Sequence, residues 1–258
     1  KTPNSSMGRI IPKTGKPVLL PEGTRIIHEG TTYTILQELG FGSFANTYLI
    51  ENGEHQLRVL KEFHPKGTKR YIDYSLDYSD CIGDANYEKG EKKFRKEPER
   101  IYTILEEGKG EAKTVHDRMT EQQAWKTARK EIGKGGVYTW KGRKRTTYSN
   151  EELEQLNIAL PLSRCFNIGE GLYFIMEYVN GQSLKDFMHK ENYEESPMYF
   201  ELAMKILRQL CIAVKNIHEI PCAHMDITPA NIMFHMEGKN VKLKIIDFGM
   251  ATDTKDIS

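Results

Sequence analysis

Two short segments in the last fifth of the 258-residue sequence carry the pattern with the clearest chemistry. The first is a His-x-Asp sequence that ends at Asp226, with Asn231 five positions later; the second is an Asp-Phe-Gly sequence whose first residue, Asp247, follows Asn231 by sixteen positions. A carboxylate such as that of Asp226 can accept the proton of a substrate hydroxyl, and carboxylate and amide oxygens are ligands that Mg²⁺ prefers. The alternative is that the His-x-Asp segment is an ordinary turn and that Asp247 lies at a strand end by chance. This explains each of the two segments alone but not their occurrence together. The combination predicts a metal-phosphate site with Asp226 as base and Asn231 and Asp247 as metal ligands.

A second pattern is a turn rich in small residues near the start of the chain. Gly40, Gly42 and Ala45, with Ser43 between them, lie between two predicted strands. Small residues at such a turn let backbone N–H groups approach phosphate oxygens without interference from a Cβ atom. An ordinary hairpin turn is the alternative. The strand-turn-strand context argues against a dinucleotide-binding fingerprint, in which the glycines open a helix.

The third candidate is a lysine within an apolar strand. Lys61 is predicted to share one face of a strand with Val59, and a lysine in such a place is costly to bury unless it is paired. An exposed lysine on a strand edge is the alternative. Glu97, on a predicted helix, is our expected partner, and Glu131 and Glu152 are the less favoured substitutes.

The elements that position these residues are short strands and three helices. Strands are predicted at 33–39, 47–50, 56–63, 161–166, 172–178, 232–234 and 241–246, a hairpin at 137–148, and helices at 89–107, 184–188 and 198–219. Pro98 is expected to kink or end one turn of the first helix, and Ser183 to cap the second. The third helix is apolar on more than one face, which predicts deep burial.

Composition limits the class of protein. The sequence is 38% hydrophobic and 28% charged, with a net charge of +1, which is typical of a folded protein with a solvated surface. Its four cysteines have neither disulfide-framework nor zinc-site spacing, and no apolar run approaches the roughly 18 residues of a membrane span. We therefore expect a cytoplasmic location, with residues 1–23 as an extended leader.

Residues 108–150 are unusually basic, with eleven Lys or Arg against four Asp or Glu. This composition predicts a solvated surface insertion, and docking to an acidic partner or nucleic acid is the sharper alternative.

The order of glycine turn, strand lysine, helix glutamate, His-x-Asp segment and Asp-Phe-Gly resembles the protein kinase signature. Three details resemble bacterial serine/threonine kinases: LPEGT at Leu20–Thr24, TYL at Thr47–Leu49 and KEFHP at Lys61–Pro65. The resemblance implies ATP and Mg²⁺ as cofactors and a Ser/Thr hydroxyl of a protein as acceptor.

The resemblance also assigns roles. Lys61 would hold the α- and β-phosphates and pair with Glu97, Asp226 would be the catalytic base, and Asn231 and Asp247 the magnesium ligands. The implied nucleotide contacts are Leu39, Gly40, Gly42, Ser43, Ala45, Thr47, Val59, Lys61, Met176, Glu177, Val179 and Met233, with Met176 as the gatekeeper of a hinge at Met176–Val179. Ile101, His224 and Phe248 would belong to the packed column that aligns the lobes.

Four features depart from the kinase pattern. Ala45 replaces the third glycine of the turn, Met225 stands where many kinases have arginine, and Thr228 replaces a lysine that often touches the γ-phosphate. The sequence ends nine residues after Gly249, before any Ala-Pro-Glu motif. We expect the apolar helix at 198–219 to need covering by further chain, by a partner or by self-association.

The predicted fold is α+β and bilobal, like that of protein kinases. An antiparallel N-lobe sheet with one main helix occupies 24–177, and the hinge and first part of a mainly helical C-lobe occupy 178–258. A kinase-like small-molecule phosphotransferase and a pseudokinase or fragment acting as a binding module are the alternatives to a serine/threonine protein kinase. A protein that only binds would be expected to lose one of Lys61, Asp226, Asn231 or Asp247, and all four are present.

Overall fold

The computed structural model describes residues 19–42, 44–71, 73–107, 137–140, 143–146, 150–190, 197–218 and 222–253. Ser43, most of the proposed leader and most of the basic insertion lie outside the described residues. The chain divides into two compact units: the residues up to Glu99 with Leu160–Tyr178, and Arg100–Ala159 with the residues from Val179 onward. The division predicted from the sequence differs in placing residues 100–159 with the first unit.

The elements of the described chain are as follows. Strands β1 to β6 are Arg25–His28, Thr31–Phe41, Ala45–Asn52, Leu57–Phe63, Lys69–Arg70 and Leu76–Asp77. Strands β7 to β10 are Val137–Trp140, Arg143–Thr146, Phe166–Ile168 and Gly171–Glu177, and β11 to β15 are Gln182–Ser183, Cys222–Ala223, Ile232–Glu237, Asn240–Ile245 and Thr252–Asp253. Helices α1 to α4 are Ala85–Glu107, Asn150–Gln155, Leu184–Lys190 and Pro197–His218, and a 3₁₀ turn covers Pro229–Asn231.

The first unit is built on a six-stranded antiparallel sheet in the order β1-β2-β3-β4-β10-β9. Alternating apolar residues on its strands form one face of a core that includes Ile35, Ile50, Leu60 and Ile175. Leu20, which the sequence analysis places in the leader, is buried in the same cluster. Strand β1 was not predicted, because four residues are too few to show a clear alternation.

The strand predicted at 161–166 is wrong in its position. Pro161 lies in an isolated bridge to Met176 outside the strands, and β10 pairs with β4 on one side and with β9, from Phe166 to Ile168, on the other. The proline explains the shift, since it has no N–H to donate to a sheet ladder. The predicted hairpin at 137–148 is confirmed by the antiparallel pairing of β7 with β8.

Helix α1 begins at Ala85, four residues before the predicted start, where Asp84 Oδ1 accepts the N–H of Asn86 at 2.7 Å. Pro98 was expected to kink or end one turn of this helix; it does not end the helix, which runs on to Glu107. Pro98 has no N–H, so the carbonyl of Phe94, four residues earlier, loses its helical donor. The thiol of Cys165 lies 3.8 Å from that carbonyl and offers a weak replacement.

The second unit contains a three-stranded sheet in the order β11-β13-β14 and the two-stranded pair β12-β15. Ser183 caps α3 as predicted, because its Oγ accepts the N–H of Asp186 at 3.0 Å. Gly181 precedes β11 at a position where a Cβ atom would lie 2.4 Å from the carbonyl oxygen of Phe234, so this close approach requires glycine.

Helix α4 contradicts the expectation of deep burial. Ile206, Ala213 and Ile217 are buried, whereas Phe200 is 71% exposed and Leu207 is 50% exposed. The helix is therefore amphipathic within the described chain, although its sequence is apolar on more than one face. In the part of the chain that the structure describes, we find no helix with the length and hydrophobicity that a membrane crossing requires.

Candidate active site

The glycine turn connects β2 to β3. Gly42 N–H donates to the carbonyl of Ala45 at 2.7 Å, which closes the turn. Among the described residues other than its chain neighbours, only this carbonyl oxygen, at 3.8 Å, lies within 4 Å of a Cβ built on Gly42, and none lies that close at Gly40. The turn therefore presents open backbone at these two positions. Ser43, which belongs to the predicted site, lies outside the described residues.

One row of residues across the first sheet contains three of the predicted site positions. Gly40 is paired with Thr47, Thr47 with Lys61, and Lys61 with Phe174 on the adjacent strand. Residues directly opposite one another in antiparallel strands project to the same face. Thr47, on the strand that leads out of the glycine turn, and Lys61, on the next strand, are thus neighbours on one face.

A second row lies two residues further along the same strands. Val59 is paired with Leu49 on one side and with Met176, the predicted gatekeeper, on the other. Since Val59 and Lys61 are two residues apart, they share a face. Glu177 ends β10, and its N–H donates to the carbonyl of Leu160 at 2.9 Å.

The predicted pair between strand and helix is present. Lys61 Nζ lies 2.6 Å from Glu97 Oε1, and the two side chains are 11% and 4% exposed. The lysine ammonium also lies 5.7 Å from the centre of the Phe174 ring. Burial makes the pairing necessary, because either charge left alone at this place would carry a large desolvation cost.

Aromatic packing fixes α1 against the sheet beside this pair. The rings of Phe94 and Phe174 meet edge to face with centroids 4.9 Å apart, and Phe94 also contacts Phe63 at 5.4 Å. Phe94 stands one helical turn before Pro98 and three residues before Glu97. The ring contacts therefore set the height and rotation at which Glu97 meets Lys61.

A contact that the sequence analysis missed joins the glycine turn to α1. A Cβ atom at Gly90 would lie 2.5 Å from Cδ1 of Phe44, so the ring occupies the space that any side chain at position 90 would need. Gly90 in a helix interior is the signal that could have revealed this contact, because glycine there costs about 1 kcal/mol relative to alanine without a packing reason.

The second half of the predicted site lies in the second unit, around Asp226. Asn231 Nδ2 donates to Asp226 Oδ2 at 2.9 Å and to the main-chain oxygen of Asp226 at 3.0 Å. The 3₁₀ turn brings them together, with the N–H of Asn231 bonded to the carbonyl of Thr228 at 2.9 Å. Because the amide nitrogen is used in this way, Asn231 Oδ1 is the atom that can serve as a metal ligand.

Asp247 is positioned by the hairpin of β13 and β14. Ile246 N–H donates to the carbonyl of Asn231 at 2.9 Å, which places Asp247 at the same end of the hairpin as Asn231. Asp247 Oδ1 accepts the N–H of Gly249 at 3.2 Å. Asp247 and Met225 have φ angles of 63° and 64°, an uncommon conformation for residues with side chains that often marks functional sites.

Two buried rings hold these segments together. His224 and Phe248 are 2% and 0% exposed, and their rings meet edge to face at an interplanar angle of 65° with centroids 4.5 Å apart. Outside them, Ala223 pairs with Thr252 in the short ladder of β12 and β15. The segment before Asp226 and the segment after Asp247 are therefore joined by both a ladder and a ring contact.

The donor set at this end of the hairpin fits magnesium. Asp247 supplies a carboxylate and Asn231 an amide oxygen, both hard oxygen ligands. The described residues contain no cluster of three or more His, Cys, Asp or Glu side chains that could enclose a metal. A magnesium ion held by one or two protein ligands together with phosphate oxygens is consistent with both observations.

A buried charged network on the other face of β4 was also missed. Glu62 and Arg70 are fully buried, and Arg70 Nη2 lies 2.6 Å from Glu62 Oε2. Asn46, Tyr48 and Tyr173 also donate hydrogen bonds to the Glu62 carboxylate at 2.8 to 3.0 Å. Burial and the Glu62 charge raise the pKa of both tyrosines, which therefore remain neutral donors. No local sequence pattern links these residues, because they come from four different strands, β3, β4, β5 and β10.

Comparison with solved structures identifies the class of fold. The chain resembles the chain titled "Crystal structure of BubR1 kinase domain" with a TM-score of 0.50 and 15% identity, over 93% of this chain and 53% of that one. At this identity the likeness shows the fold, which is the kinase-like fold predicted from the sequence.

The family follows from sequence comparison. Residues 102–258 match the family model described as "Protein kinase domain", and the chain belongs to the protein kinase family. Serine/threonine-protein kinase PknB of Mycolicibacterium smegmatis is 36% identical over 84 residues, or 33% of this chain and 12% of that protein. Probable serine/threonine-protein kinase fhkA of Dictyostelium discoideum is 26% identical over 92% of this chain and 44% of its own length. PrkC of Bacillus subtilis is 30% identical over 42% of this chain and 16% of its own. The chain thus spans less than half the length of these curated relatives.

Proposed function

We propose that the protein transfers the γ-phosphoryl group of Mg-ATP to a serine or threonine hydroxyl of a protein. The observation that carries this proposal is the pair of hydrogen bonds from Asn231 Nδ2 to Asp226. Through these bonds the Asn231 side chain would orient the Asp226 carboxylate as a proton acceptor. The same bonds use the amide nitrogen of Asn231 and so leave its Oδ1 for a metal ion. The names of the curated relatives support serine and threonine as acceptors.

In the proposed reaction, the acceptor hydroxyl gives its proton to the carboxylate of Asp226 while its oxygen forms a bond to the γ-phosphorus. The bond from that phosphorus to the β,γ-bridging oxygen breaks, and ADP leaves with the electron pair. General-base help of this kind contributes about 10²- to 10⁴-fold to rate. The hydrogen bond from Asn231 keeps one oxygen of the Asp226 carboxylate fixed, so that the other can face the hydroxyl.

The remaining site residues would bind and orient the nucleotide. Lys61, itself oriented by Glu97, would contact the α- and β-phosphates, and the open backbone of Gly40 and Gly42 would approach phosphate oxygens. Asn231 and Asp247 would hold Mg²⁺. When bound, this ion would neutralise charge that develops on the phosphate oxygens.

For the adenine ring we propose contacts with Val59, Met176, Glu177, Val179 and Met233. Val59 and Met176 are cross-strand neighbours in the first unit, and Met233 lies on β13 in the second.

We also propose a cytoplasmic location. In its support, none of the four cysteines, all of which are among the described residues, forms a disulfide.

The acceptor class can be tested by incubating the purified protein with γ-labelled ATP and three acceptors: generic protein substrates, the protein itself, and aminoglycoside-type small molecules. We expect label on protein acceptors, and loss of that label in Asp226→Asn. Glu237→Gln serves as the matched control, because Glu237 is an exposed acid in the same unit. Label found only on the small molecules would favour the alternative, a small-molecule phosphotransferase, and contradict the proposal.

A further inference from the structure

A pocket of about 340 Å³ opens on the first unit, and none of its lining residues is among those assigned to phosphoryl transfer. Helix α1 forms one wall through Tyr87, Glu91 and Arg95, which follow one another at four-residue intervals and so lie on one face of the helix. The segment after β6 and the turn between β9 and β10 form the other walls. All of its lining residues belong to the first unit.

The floor of the pocket is aromatic and fixed in place. The ring of Phe63 lies 5.8 Å from that of Tyr78 and 5.6 Å from that of Tyr87, centre to centre. Tyr78 and Tyr87 contact each other at 5.8 Å, and the Tyr78 hydroxyl donates to the carbonyl of Phe63 at 2.8 Å. This cluster is held by its own contacts, so the floor is present before any ligand arrives.

The rim of the pocket is acidic. Asp77, Glu91 and Glu170 line it, against the single positive charge of Arg95. That charge is already engaged, because Arg95 Nη2 lies 2.8 Å from Glu91 Oε1. Burial raises the pKa of Tyr87, and the charge of Glu91 raises it further.

We propose that this pocket docks a basic peptide segment of a partner protein, with an arginine or lysine side chain lying over the aromatic floor and its charged end at the acidic rim. The aliphatic stem of such a side chain packs on apolar surface while its charge stays at a polar edge. Cations are also attracted to the faces of aromatic rings. Ile82, which is 72% exposed at the rim, offers a contact for an apolar residue beside the basic one.

The excess of negative charge selects against other occupants. A phosphorylated or acidic segment would place like charges together, which disfavours binding. An apolar ligand would bring no positive charge to offset the excess of acids over Arg95 at the rim. A basic side chain can pack its aliphatic stem on the aromatic floor and place its charge at the acidic rim, where it offsets part of the excess negative charge.

The test uses three fluorescein-labelled twelve-residue peptides of Gly and Ser that differ only at the centre: Arg-Leu-Arg, Glu-Leu-Glu or Ser-Leu-Ser. Binding to the full chain is followed by fluorescence anisotropy at about 150 mM salt, where long-range surface attraction is largely screened. We expect the Arg-Leu-Arg peptide to bind more tightly than the other two. Equal affinity for all three peptides, or no binding of any, would overturn the proposal.

Two variants locate the binding. Glu170→Lys reverses a charge on the exposed turn of the pocket and should weaken the Arg-Leu-Arg peptide by about tenfold or more. Glu54→Lys is the matched control, since Glu54 is an exposed glutamate in the turn between β3 and β4 and does not line the pocket. Equal weakening by both variants would show a general charge effect, and no weakening by Glu170→Lys would place the peptide elsewhere; either result contradicts the proposal. Glu170→Gln, which introduces no new charge, should give a smaller loss in the same direction.

Discussion

Lys61 Nζ and Glu97 Oε1 lie 2.6 Å apart, although 36 residues separate them in the sequence. The contact joins the fourth strand of the first unit to α1, and both side chains are almost fully shielded from water. In protein kinases an ion pair of this kind must be in place for activity. Its presence here connects the packing of α1 to the proposed chemistry.

We predict that breaking the pair from one side destabilises the first unit more than removing both partners. Lys61→Met or Glu97→Leu alone leaves a buried charge without its partner, at a cost of about 3–5 kcal/mol, whereas the double variant removes both charges. Urea denaturation of the two single variants and the double variant measures this difference. A double variant whose loss equals the sum of the single losses would show that the two charges are not coupled.

Asp226→Asn should separate binding from turnover. We expect Mg-ATP affinity to stay close to that of the unchanged protein, while turnover falls by about a hundredfold or more, because the proton acceptor is lost. Calorimetric titration and steady-state phosphoryl transfer measure the two quantities separately. Full turnover in this variant would remove Asp226 from the mechanism.

Asp247→Asn should affect nucleotide binding instead. Replacing a carboxylate by an amide removes a charged ligand from a hard divalent cation, so we expect Mg-ATP affinity to fall. ATP affinity measured with EDTA in place of magnesium should change much less. The same affinity for Mg-ATP in both proteins would count against Asp247 as a metal ligand.

Gly90→Ala tests the contact between the glycine turn and α1. Alanine normally stabilises a helix interior by up to about 1 kcal/mol relative to glycine. Here the new methyl group would lie 2.5 Å from the ring of Phe44, so we expect a lower melting temperature. In a Phe44→Ala background the clash is gone, and the same substitution should raise the melting temperature. An increase in both backgrounds would show that the ring does not occupy this space.

Two cysteines should differ sharply in reactivity. Burial raises the pKa of the Cys165 thiol to about 12, whereas Cys211 is exposed. The thiolate is the reactive form, so at pH 8 we expect iodoacetamide to modify Cys211 well before Cys165. Peptide mass spectrometry against time measures the order, and unfolding in urea should remove the difference. Early modification of Cys165 in the folded protein would contradict the raised pKa of its thiol.

The sequence was most informative where one group is costly to bury without a partner, because this requirement restricts which residue the partner can be. A lysine in an apolar strand needs a carboxylate, and the apolar spacing of α1 singled out Glu97, which the structure places there. The Ser183 cap was predicted for the same reason, since a helix start needs an acceptor for its N–H groups. Both requirements can be identified from a few neighbouring residues.

The features that were missed depend on contacts between distant parts of the chain. Glu62 meets Arg70 and Tyr173 only because three separate strands, β4, β5 and β10, come together in the folded first unit, and the spacing of these residues in the sequence does not indicate it. The exposed side of α4 was misjudged for a related reason. An apolar helix face can be buried, but whether it is buried depends on which other elements pack against it.

The most direct test of the account is phosphoamino-acid analysis of a generic protein substrate after incubation with the protein and γ-labelled Mg-ATP. The account predicts labelled phosphoserine or phosphothreonine with the unchanged protein, and at least about a hundredfold less label with Asp226→Asn at saturating Mg-ATP. No labelled phosphoserine or phosphothreonine from a folded protein that binds Mg-ATP, or equal labelling by Asp226→Asn, would contradict it.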